Sequence, residues 1–542
     1  MRSWFPPNWK AKIWINSICI NQSNDDEKSQ QVAMMAQIYT KAYITIAWVG
    51  EESIECAPDT SLPYTDLAIS FLLEFATEIR SRQDEGIDIH ECKCFRDLLG
   101  SGSDRNSFWE GGPTTLKPTV MGLSHIFRNR WWGRVWVLQE IAFARLPILK
   151  FTPEMMPYHI IRGYAQARKN SSFRTPNWKA LDLLSITKVT GATDPRDKIF
   201  GILGFFGSPD TDPENILPVP DYSRTTAEVY SDVARAIIFK TRSLEVMSDC
   251  YGNLETIPGL PSWAPSWHHR TWLYFPARLF KASNTSSVIY KDDEDRNFLT
   301  IKEKRIDSLK AVAPCPKLIS YTNTQYILLW RQWVHLALSL QSYPTGEDLH
   351  KALLYTLCFG CSSNITRLSE SQLEAGFQFW LRILTSASAS ATSNYNNTLD
   401  TPISDSITNS ALDTEADANV IFSEDSPAFS YCYRIQDTSK VRLLATTTKS
   451  FLALVPIISK PNDEIVIFSR GSIPYVVRPI VGGSDYQSTA GAKNGHSKKP
   501  PFTLVGPCYV HGIMDGEAVP KEEEKQGKGV GLCDSLEWFT LR

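Results

Sequence analysis

The sequence has no excess of charge of either sign and no long apolar run. Its 542 residues include 56 Lys and Arg against 59 Asp and Glu, which leaves a formal net charge of −3. A general nucleic-acid binder carries a basic patch or domain, so we expect no nucleic-acid partner. The most apolar helical stretch, Tyr326–Leu340, is interrupted by Arg331, Gln332 and His335. It is too short to cross a bilayer, and we expect no membrane span.

Sequence signals for secretion, metal binding and common hydrolytic chemistry are also missing. Met1–Lys12 has no apolar segment of the kind that marks a secretory signal, and the eleven cysteines are odd in number and scattered. Both features predict a reducing, cytoplasmic location. The pair Cys358 and Cys361 has no second pair or histidines at ligand spacing, so we expect no metal site. The motifs GxxxxGK(S/T), HExxH and GxSxG are absent, which disfavours phosphate-loop nucleotidases, metalloproteases and α/β-hydrolases.

The start of the chain carries a strand-like, then a helix-like, then a strand-like pattern. Lys12–Ile20 places isoleucines among smaller or polar residues, an alternation that predicts a strand. Ser23 and Asp26 resemble a capping box. The helix predicted after it has an apolar stripe of Val32, Met35, Ala36 and Tyr39. Tyr43–Val49 predicts a second strand, and the three elements together predict a βαβ unit with a parallel sheet.

The middle of the chain is predicted to be helical. Asp194 can cap a helix that begins at Pro195, where the missing N–H does no harm. Thr225 and Glu228 form a capping box. The stripe that follows this box consists of Val229, Val233 and Ile237.

The last part of the chain is predicted to be rich in β-strands. Residues 385–418 are rich in Ser, Thr, Asn and Asp and have few apolar side chains, which predicts a disordered insert. Short strands and turns alternate evenly from Lys440 to Val519, which predicts a small antiparallel module. A second polar insert, residues 482–500, divides these strands.

The segment Arg128–Arg145, RNRWWGRVWVLQEIAFAR, concentrates tryptophan, arginine and one glutamate in a predicted helix. Trp136 and Glu140 are four residues apart, so on a helix they share one face. An indole wall can raise the pKa of a carboxylate or hold that carboxylate against a planar ligand. The alternative is a tryptophan of the core with a solvated glutamate nearby, because structural ion pairs also perturb acids.

Six sequence blocks occur in an order that resembles fungal heterokaryon-incompatibility (HET) domain proteins. They are WINSICINQ, QIYTKAYITIAWVG, RVWVLQE, DPRDKIFGILG, PDYSRTTAEVY and LPSWAPSW, between Lys12 and Trp267. Residues from Lys440 to Val519 resemble the β-rich module that commonly ends these chains. Two features depart from the family pattern. The opening strand motif ALSYxWG is missing, which predicts an N-terminally truncated domain, and Asn16 replaces the acid of the family's WIDxxCINQ block.

The resemblance implies a fold and a candidate site. HET domains are distantly similar to TIR domains, so the implied fold is α/β, with a TIR-like parallel sheet flanked by helices and lacking its first strand. NAD-cleaving TIR domains carry a WxxxE element whose glutamate is essential, and Trp136 to Glu140 fits this pattern. By this resemblance Glu140 is the catalytic residue, and Trp136, Arg134, Asn16 and Asn21 bind NAD. The expected location is the carboxyl ends of the parallel strands, where such sheets bind ligands.

The resemblance also suggests a division of the chain and three alternative functions. The expected regions are a HET domain at 1–150, its helical continuation at 151–280, a mixed linker and helical region at 281–384, the disordered insert at 385–418 and the β module at 419–542. The first function is an allorecognition and programmed cell-death effector, with NAD cleavage as its chemistry. The second is a non-catalytic adaptor that self-associates or binds protein partners, and the third is an inactive truncated paralogue.

Overall fold

The computed structural model describes most of the chain and divides it into two compact units. The described residues are 12–51, 63–81, 118–127, 129–145, 147–152, 155–156, 180–206, 217–251, 257–268, 275–283, 288–291, 293–314, 323–362, 365–390, 427–480, 500–519 and 536–542. Unit 1 comprises residues 1–233 with 267–271, and unit 2 comprises residues 234–266 with 272–542. Within the described ranges, no helix is both long and apolar enough to cross a membrane.

Unit 1 begins with a short helix where a strand was predicted. Helix α1 spans Asn16–Cys19, and residues 12–15 have no regular structure. The predicted strand at 12–20 is therefore wrong. Ile13 and Ile15, the isoleucines of its alternating pattern, are exposed, so this alternation has no core face to bury, and of this segment's isoleucines Ile20 is the one that is buried.

The helix and strand that follow are confirmed. Helix α2 spans Asp25–Lys41 and buries Val32, Met35 and Tyr39 of the predicted stripe. Its N-cap is Asn24, whose side chain accepts from the Glu27 N–H, and not the predicted Ser23. Strand β1 spans Thr45–Glu51.

The sheet of unit 1 is formed by residues that are far apart in sequence. Strand β2, Pro147–Thr152, pairs parallel with β1, and β3, Met155–Met156, pairs antiparallel with β2. The predicted βαβ unit at the start of the chain is wrong because its first strand is a helix. Among the described residues this sheet has one parallel pair, and the unit is of mixed α/β type.

The helices of unit 1 contribute to a core beside β1. Helix α3, Tyr64–Ser81, packs on helix α4, Pro118–Phe127, with the backbone of Tyr64 against Gly122. The segment after α4 is not the single helix predicted. Residues 129–136 form consecutive turns before helix α5, Val137–Ala142, because the Asn129 side chain caps the first turn by accepting from the Trp131 N–H.

Three further helices complete the described middle of the chain. They are α6, Ala180–Thr187, α7, Asp197–Phe200, and α8, Thr226–Thr241. The capping box of α8 is confirmed, since the Thr225 N–H donates to the Glu228 carboxylate at 2.8 Å and the Glu228 N–H donates to the Thr225 hydroxyl at 3.3 Å. The predicted stripe of α8 is buried.

Unit 2 combines helices with a sheet. The helices are α9, Asn323–Leu338, α10, Leu349–Cys358, α11, Glu370–Ser390, and α12, Pro427–Ser439. Helix α11 contains the first residues of the predicted disordered insert, so the predicted start of the insert at 385 is wrong. The serines and alanines at the start of the insert continue helix α11, which the apolar stripe of its earlier turns already stabilises. The remainder of that insert and residues 482–499 of the second insert lie outside the described residues.

The strands predicted from Lys440 to Val519 are confirmed, and three others, β4, β5 and β12, join their sheet. The strands are β4, Tyr290–Lys291, β5, Leu299–Val312, β6, Arg442–Thr447, β7, Leu452–Pro456, β8, Glu464–Phe468, β9, Tyr475–Pro479, β10, Phe502–Pro507, β11, Tyr509–Val510, and β12, Glu537–Leu541. Their order is β11-β7-β6-β5-β12-β10-β9-β8, and β8 also pairs with β5. Strands β5, β12, β10, β9 and β8 therefore form a closed ring. Strand β5 belongs to this sheet although it precedes the predicted module.

Candidate functional site

The Glu140 carboxylate in unit 1 is surrounded by side chains from two segments. Glu140 lies in the first turn of α5, and its N–H donates to the Trp136 carbonyl. The turns before α5 bring Trp131 back over the helix, so that its indole N–H donates to Glu140 Oε2 at 3.2 Å. The Tyr39 hydroxyl, from the last turns of α2, also hydrogen-bonds to this carboxylate. Two donors therefore converge on one half-buried acid.

The electrostatic environment of Glu140 favours its protonated form. Burial raises the pKa of Glu140, and the Arg134 charge and the hydrogen bonds from Trp131 and Tyr39 oppose this only in part. Burial and the nearby Glu140 charge raise the pKa of Tyr39, so the phenol stays a donor at neutral pH. Arg134 is exposed beside the carboxylate. A carboxyl group in such a setting can exchange a proton when neutral and stabilise a cation when ionised.

Trp136 is buried, and its indole N–H hydrogen-bonds to an acid other than Glu140. Its side chain is 7% exposed, and its indole N–H donates to Asp197 Oδ2 at 3.1 Å. Asp197 also accepts from the Tyr222 hydroxyl at 2.5 Å. Burial raises the pKa of Asp197, while the hydrogen bonds from Tyr222 and Trp136 lower it. The indole N–H that binds Glu140 is that of Trp131, a residue that sequence reasoning missed although it precedes the turn at Gly133.

The DPRDK segment forms an internal polar network. The Asp194 side chain accepts the Arg196 N–H at 3.0 Å. The helix begins at Asp197 with Arg196 as its N-cap, so the predicted helix start at Pro195 with Asp194 as cap is wrong. Arg196 Nη2 and Lys28 Nζ also bind Asp194, at 2.8 and 3.1 Å. Burial tends to raise the pKa of Asp194. The hydrogen bonds from Arg196 and Lys28 outweigh this effect and hold the pKa below its usual value. Lys198 donates to three backbone carbonyls, those of Thr187, Lys188 and Thr190.

The RVWVLQE and DPRDKIFG segments pack directly on each other. Gln139 Nε2 donates to the Gly201 carbonyl at 2.9 Å, and the Val135 N–H donates to the Gly191 carbonyl at 2.9 Å. A Cβ atom at Gly201 would lie 2.7 Å from the Asp197 carbonyl oxygen, so the close approach needs glycine. These contacts hold α5, which carries Glu140, against residues 191–201.

Asn16 is the first residue of α1, and Asn21 lies in the turn between α1 and α2. The Asn16 carbonyl accepts from Gln22 Nε2 at 3.3 Å, and the Asn21 side chain accepts from the Ser23 N–H at 3.1 Å. In the described part of the chain, neither asparagine hydrogen-bonds to Glu140. The same segment reaches the site through Trp14, whose ring meets the Tyr39 ring edge-on at 6.0 Å.

The site lies before the parallel strands in the chain and does not follow them. Tyr39 precedes the amino end of β1, and Glu140 precedes the amino end of β2. The predicted location of Glu140 at the carboxyl ends of the strands stays a prediction; along the chain, Glu140 lies on the helix that leads into β2. Among the described residues, no group of three or more His, Cys, Asp or Glu side chains could hold a metal ion.

Two regions of the chain match known protein families. The family described as "Heterokaryon incompatibility protein (HET)" matches residues 8–140, and the "Het-6 beta-barrel domain" matches residues 356–527. The curated "Heterokaryon incompatibility protein 6, OR allele" of Neurospora crassa is 24% identical over 615 residues, covering 95% of this chain and 82% of that protein. No solved structure matches. Residues 8–140 therefore match a HET domain and residues 356–527 match a Het-6 barrel domain, and nearly the whole chain is similar to a fungal heterokaryon incompatibility protein.

Proposed function

We propose that this protein acts in heterokaryon incompatibility, as an allorecognition protein whose HET domain triggers programmed cell death. The support is the HET match at residues 8–140 and the relative that is named for heterokaryon incompatibility. We place its action in the cytoplasm, in keeping with cysteines that carry free thiols. These are Cys19, Cys250, Cys358, Cys361, Cys432 and Cys508.

The proposed chemistry is hydrolysis of NAD with Glu140 as the catalytic residue. The observation that supports this chemistry is the half-buried Glu140 carboxylate, which Trp131 and Tyr39 hydrogen-bond beside the exposed Arg134. Perturbed acids of this kind occur at functional sites. Cleavage of the bond between nicotinamide and ribose leaves the bonding electron pair on nicotinamide and a cationic ribosyl carbon, which ionised Glu140 would stabilise. Water then bonds to that carbon and releases a proton through Glu140 to solvent, while Arg134 binds the pyrophosphate.

The test measures nicotinamide release by the purified full chain. We expect Glu140→Gln to lower kcat by about 10²–10⁴-fold, the range for loss of an acid–base group. Arg134→Ala should mainly raise KM for NAD, because it removes a phosphate contact and leaves the reacting carboxylate in place. Glu74→Gln, at an exposed position of α3, is the matched control and should retain wild-type release. Circular dichroism checks that each variant is folded.

Two outcomes would contradict the catalytic proposal. One is equal nicotinamide release by wild type and Glu140→Gln. The other is no release by either protein while expression still kills incompatible cells. Trp136→Ala cannot replace Glu140→Gln in this test, since loss of a buried aromatic costs about 3–5 kcal/mol and would damage the fold as well.

The second candidate function is a non-catalytic adaptor that self-associates through the HET domain. The observation in its favour is the exposure of Ile13, Ile15 and Ile18, since clustered apolar surface favours protein contacts. Sedimentation of wild type against Ile18→Ser tests it. A wild-type oligomer that dissociates in the variant would support the adaptor, and a monomer in both would rule it out.

A further inference from the structure

Two arginines in unit 2 are buried without a carboxylate partner. Arg434 lies on α12 and Arg442 begins β6, and their residues are 4% and 2% exposed. Arg442 Nη1 donates to the Pro507 carbonyl at 2.5 Å, and Arg434 hydrogen-bonds to the Cys361 thiol. Neither guanidinium forms an ion pair with any residue that the structure describes. A buried charge without a counter-charge is strongly unfavourable, so something must balance these two.

Other arginines of unit 2 show the usual arrangement. Arg478 binds Asp463 at 2.7 Å and Arg367 binds Asp515 at 2.6 Å, and both arginine side chains are far more exposed than Arg434 and Arg442. Exposed guanidinium groups need a counter-charge less than buried ones do, since water screens them. In the described part of this unit, Arg367 and Arg478 thus have a carboxylate partner although they are partly exposed, whereas the more buried Arg434 and Arg442 have none.

Both guanidinium groups lie by the ring of Phe359, and the charge of Arg434 acts on Arg442. Their central carbons are 5.3 Å (Arg434) and 5.6 Å (Arg442) from the centroid of the Phe359 ring. Arg442 is also 4.6 Å from the Phe275 ring and 5.7 Å from the Tyr251 ring. Arg442 also hydrogen-bonds to the Tyr251 side chain, whereas the faces of the phenylalanine rings attract cations but accept no strong hydrogen bond. The like charges repel, and this cost adds to that of burial.

Both groups retain charge and unused donors. Burial lowers the pKa of Arg442 to about 10, so it remains a cation at neutral pH. Arg434 Nε and Nη2 and Arg442 Nη2 are buried and have no hydrogen-bond partner. Three N–H-bearing nitrogens of two adjacent cations are therefore available for an acceptor that carries negative charge.

We propose that Arg434 and Arg442 bind a phosphate group inside the barrel unit. A phosphate oxyanion supplies several acceptor oxygens in one compact group, so it can accept from both guanidinium forks at once. Its negative charge would balance two cations that the described residues leave unbalanced. The aromatic rings of Phe275 and Phe359 exclude water from the site and strengthen the ion pairs. The bound species is inorganic phosphate or the phosphate of an ester.

The test uses the full chain, purified in chloride buffers, and inorganic phosphate as the probe. We expect the melting temperature to rise with the logarithm of phosphate concentration at constant ionic strength. Arg434→Met and Arg442→Met should each weaken phosphate binding by about tenfold or more, because each removes charge-assisted hydrogen bonds and leaves the side-chain length similar. Arg478→Met, which breaks a carboxylate-paired arginine of the same sheet, is the matched control and should keep the wild-type response.

A second measurement tests the site when the variants do not fold, or when the purified protein already contains bound phosphate. Wild-type protein is denatured, and its released phosphorus is quantified as inorganic or esterified phosphate, which distinguishes the two sources. Phosphorus at about one atom per chain supports the site even if added phosphate has no further effect. Two results would overturn the proposal. One is a wild-type response that persists unchanged in Arg434→Met and Arg442→Met, and the other is no thermal response together with no released phosphorus.

Discussion

Replacing Glu303 with glutamine should stabilise unit 2 at alkaline pH far more than at acid pH. Glu303 lies on β5, opposite Glu537 of β12, and is 1% exposed. Its Oε2 atom has no hydrogen-bond partner, and its nearest cation is Arg305 at 3.5 Å. Burial raises the pKa of Glu303 to about 7, the Arg305 charge lowers it, and the charges of Glu537 and Glu464 raise it.

The magnitude follows from the linkage between pKa and stability. In the unfolded chain this carboxyl has its ordinary pKa of 4.5. Below that pH both states are protonated and no cost arises. Between 4.5 and about 7 the unfolded state loses its proton while the folded state keeps it, so stability falls as pH rises. Above 7 the folded state ionises too, and the full cost of about 3 kcal/mol remains. The glutamine side chain of the variant is neutral throughout and avoids this cost.

The assay is urea unfolding of wild type and Glu303→Gln across this pH range, followed by circular dichroism. Between pH 5 and pH 8 the stability difference should move by about 2.5 kcal/mol in favour of the variant. Taking the difference between the two proteins removes the titration of all other groups. Glu294→Gln, in the exposed loop before β5, is the control and should show no such trend. If the free energies of unfolding of wild type and variant differ by the same amount at pH 5 and pH 8, the reasoning is refuted.

Three further substitutions test the packing of unit 1. Gly201→Ala should cost about 1–3 kcal/mol, because its Cβ would lie 2.7 Å from the Asp197 carbonyl oxygen. Gly133→Ala, whose Cβ meets its nearest atom at 3.6 Å, is the control, and equal melting temperatures would contradict the clash. Thr225→Ala removes the capping box of α8 and should lower the free energy of unfolding by about 1 kcal/mol. Amide hydrogen exchange in the first turn of α8 should become faster, and unchanged protection there would contradict the role of the cap. Tyr222→Phe should cost roughly 1.5–3 kcal/mol in urea unfolding, since it removes a donor to the buried Asp197 carboxylate, and an unchanged midpoint would show that the hydroxyl contributes nothing net.

The sequence was sufficient to predict elements whose signals are local. The stripe of α2, the capping box of Thr225 and Glu228 and the short strands β6 to β11 were all predicted correctly. In each case a few neighbouring residues carry the whole signal, through side-chain period or a cap. The same local reasoning failed at residues 12–20, where the apolar alternation has no core to pack against.

The surroundings of Glu140 could be predicted only in part. The WxxxE spacing identified the acid, but the spacing cannot say which indole donates to it. The turns from Asn129 onward decide this, since they bring the Trp131 N–H to Glu140 while the Trp136 N–H binds Asp197. Tyr39 joins the site from another helix, and no spacing within the RVWVLQE block contains that information.

The sequence by itself determined the similarity to HET domain proteins, the capping box of α8 and most of the periodic elements of this protein. Tertiary structure alone decided which elements meet: β1 pairs with β2, β5 closes the ring with β8 and β12, and Arg434 and Arg442 converge on Phe359. The physical reason is the range of each interaction. Caps and amphipathic faces are set by neighbours within one or two turns, whereas these contacts join distant segments and form only when many side chains pack together to offset the entropy of closing long loops.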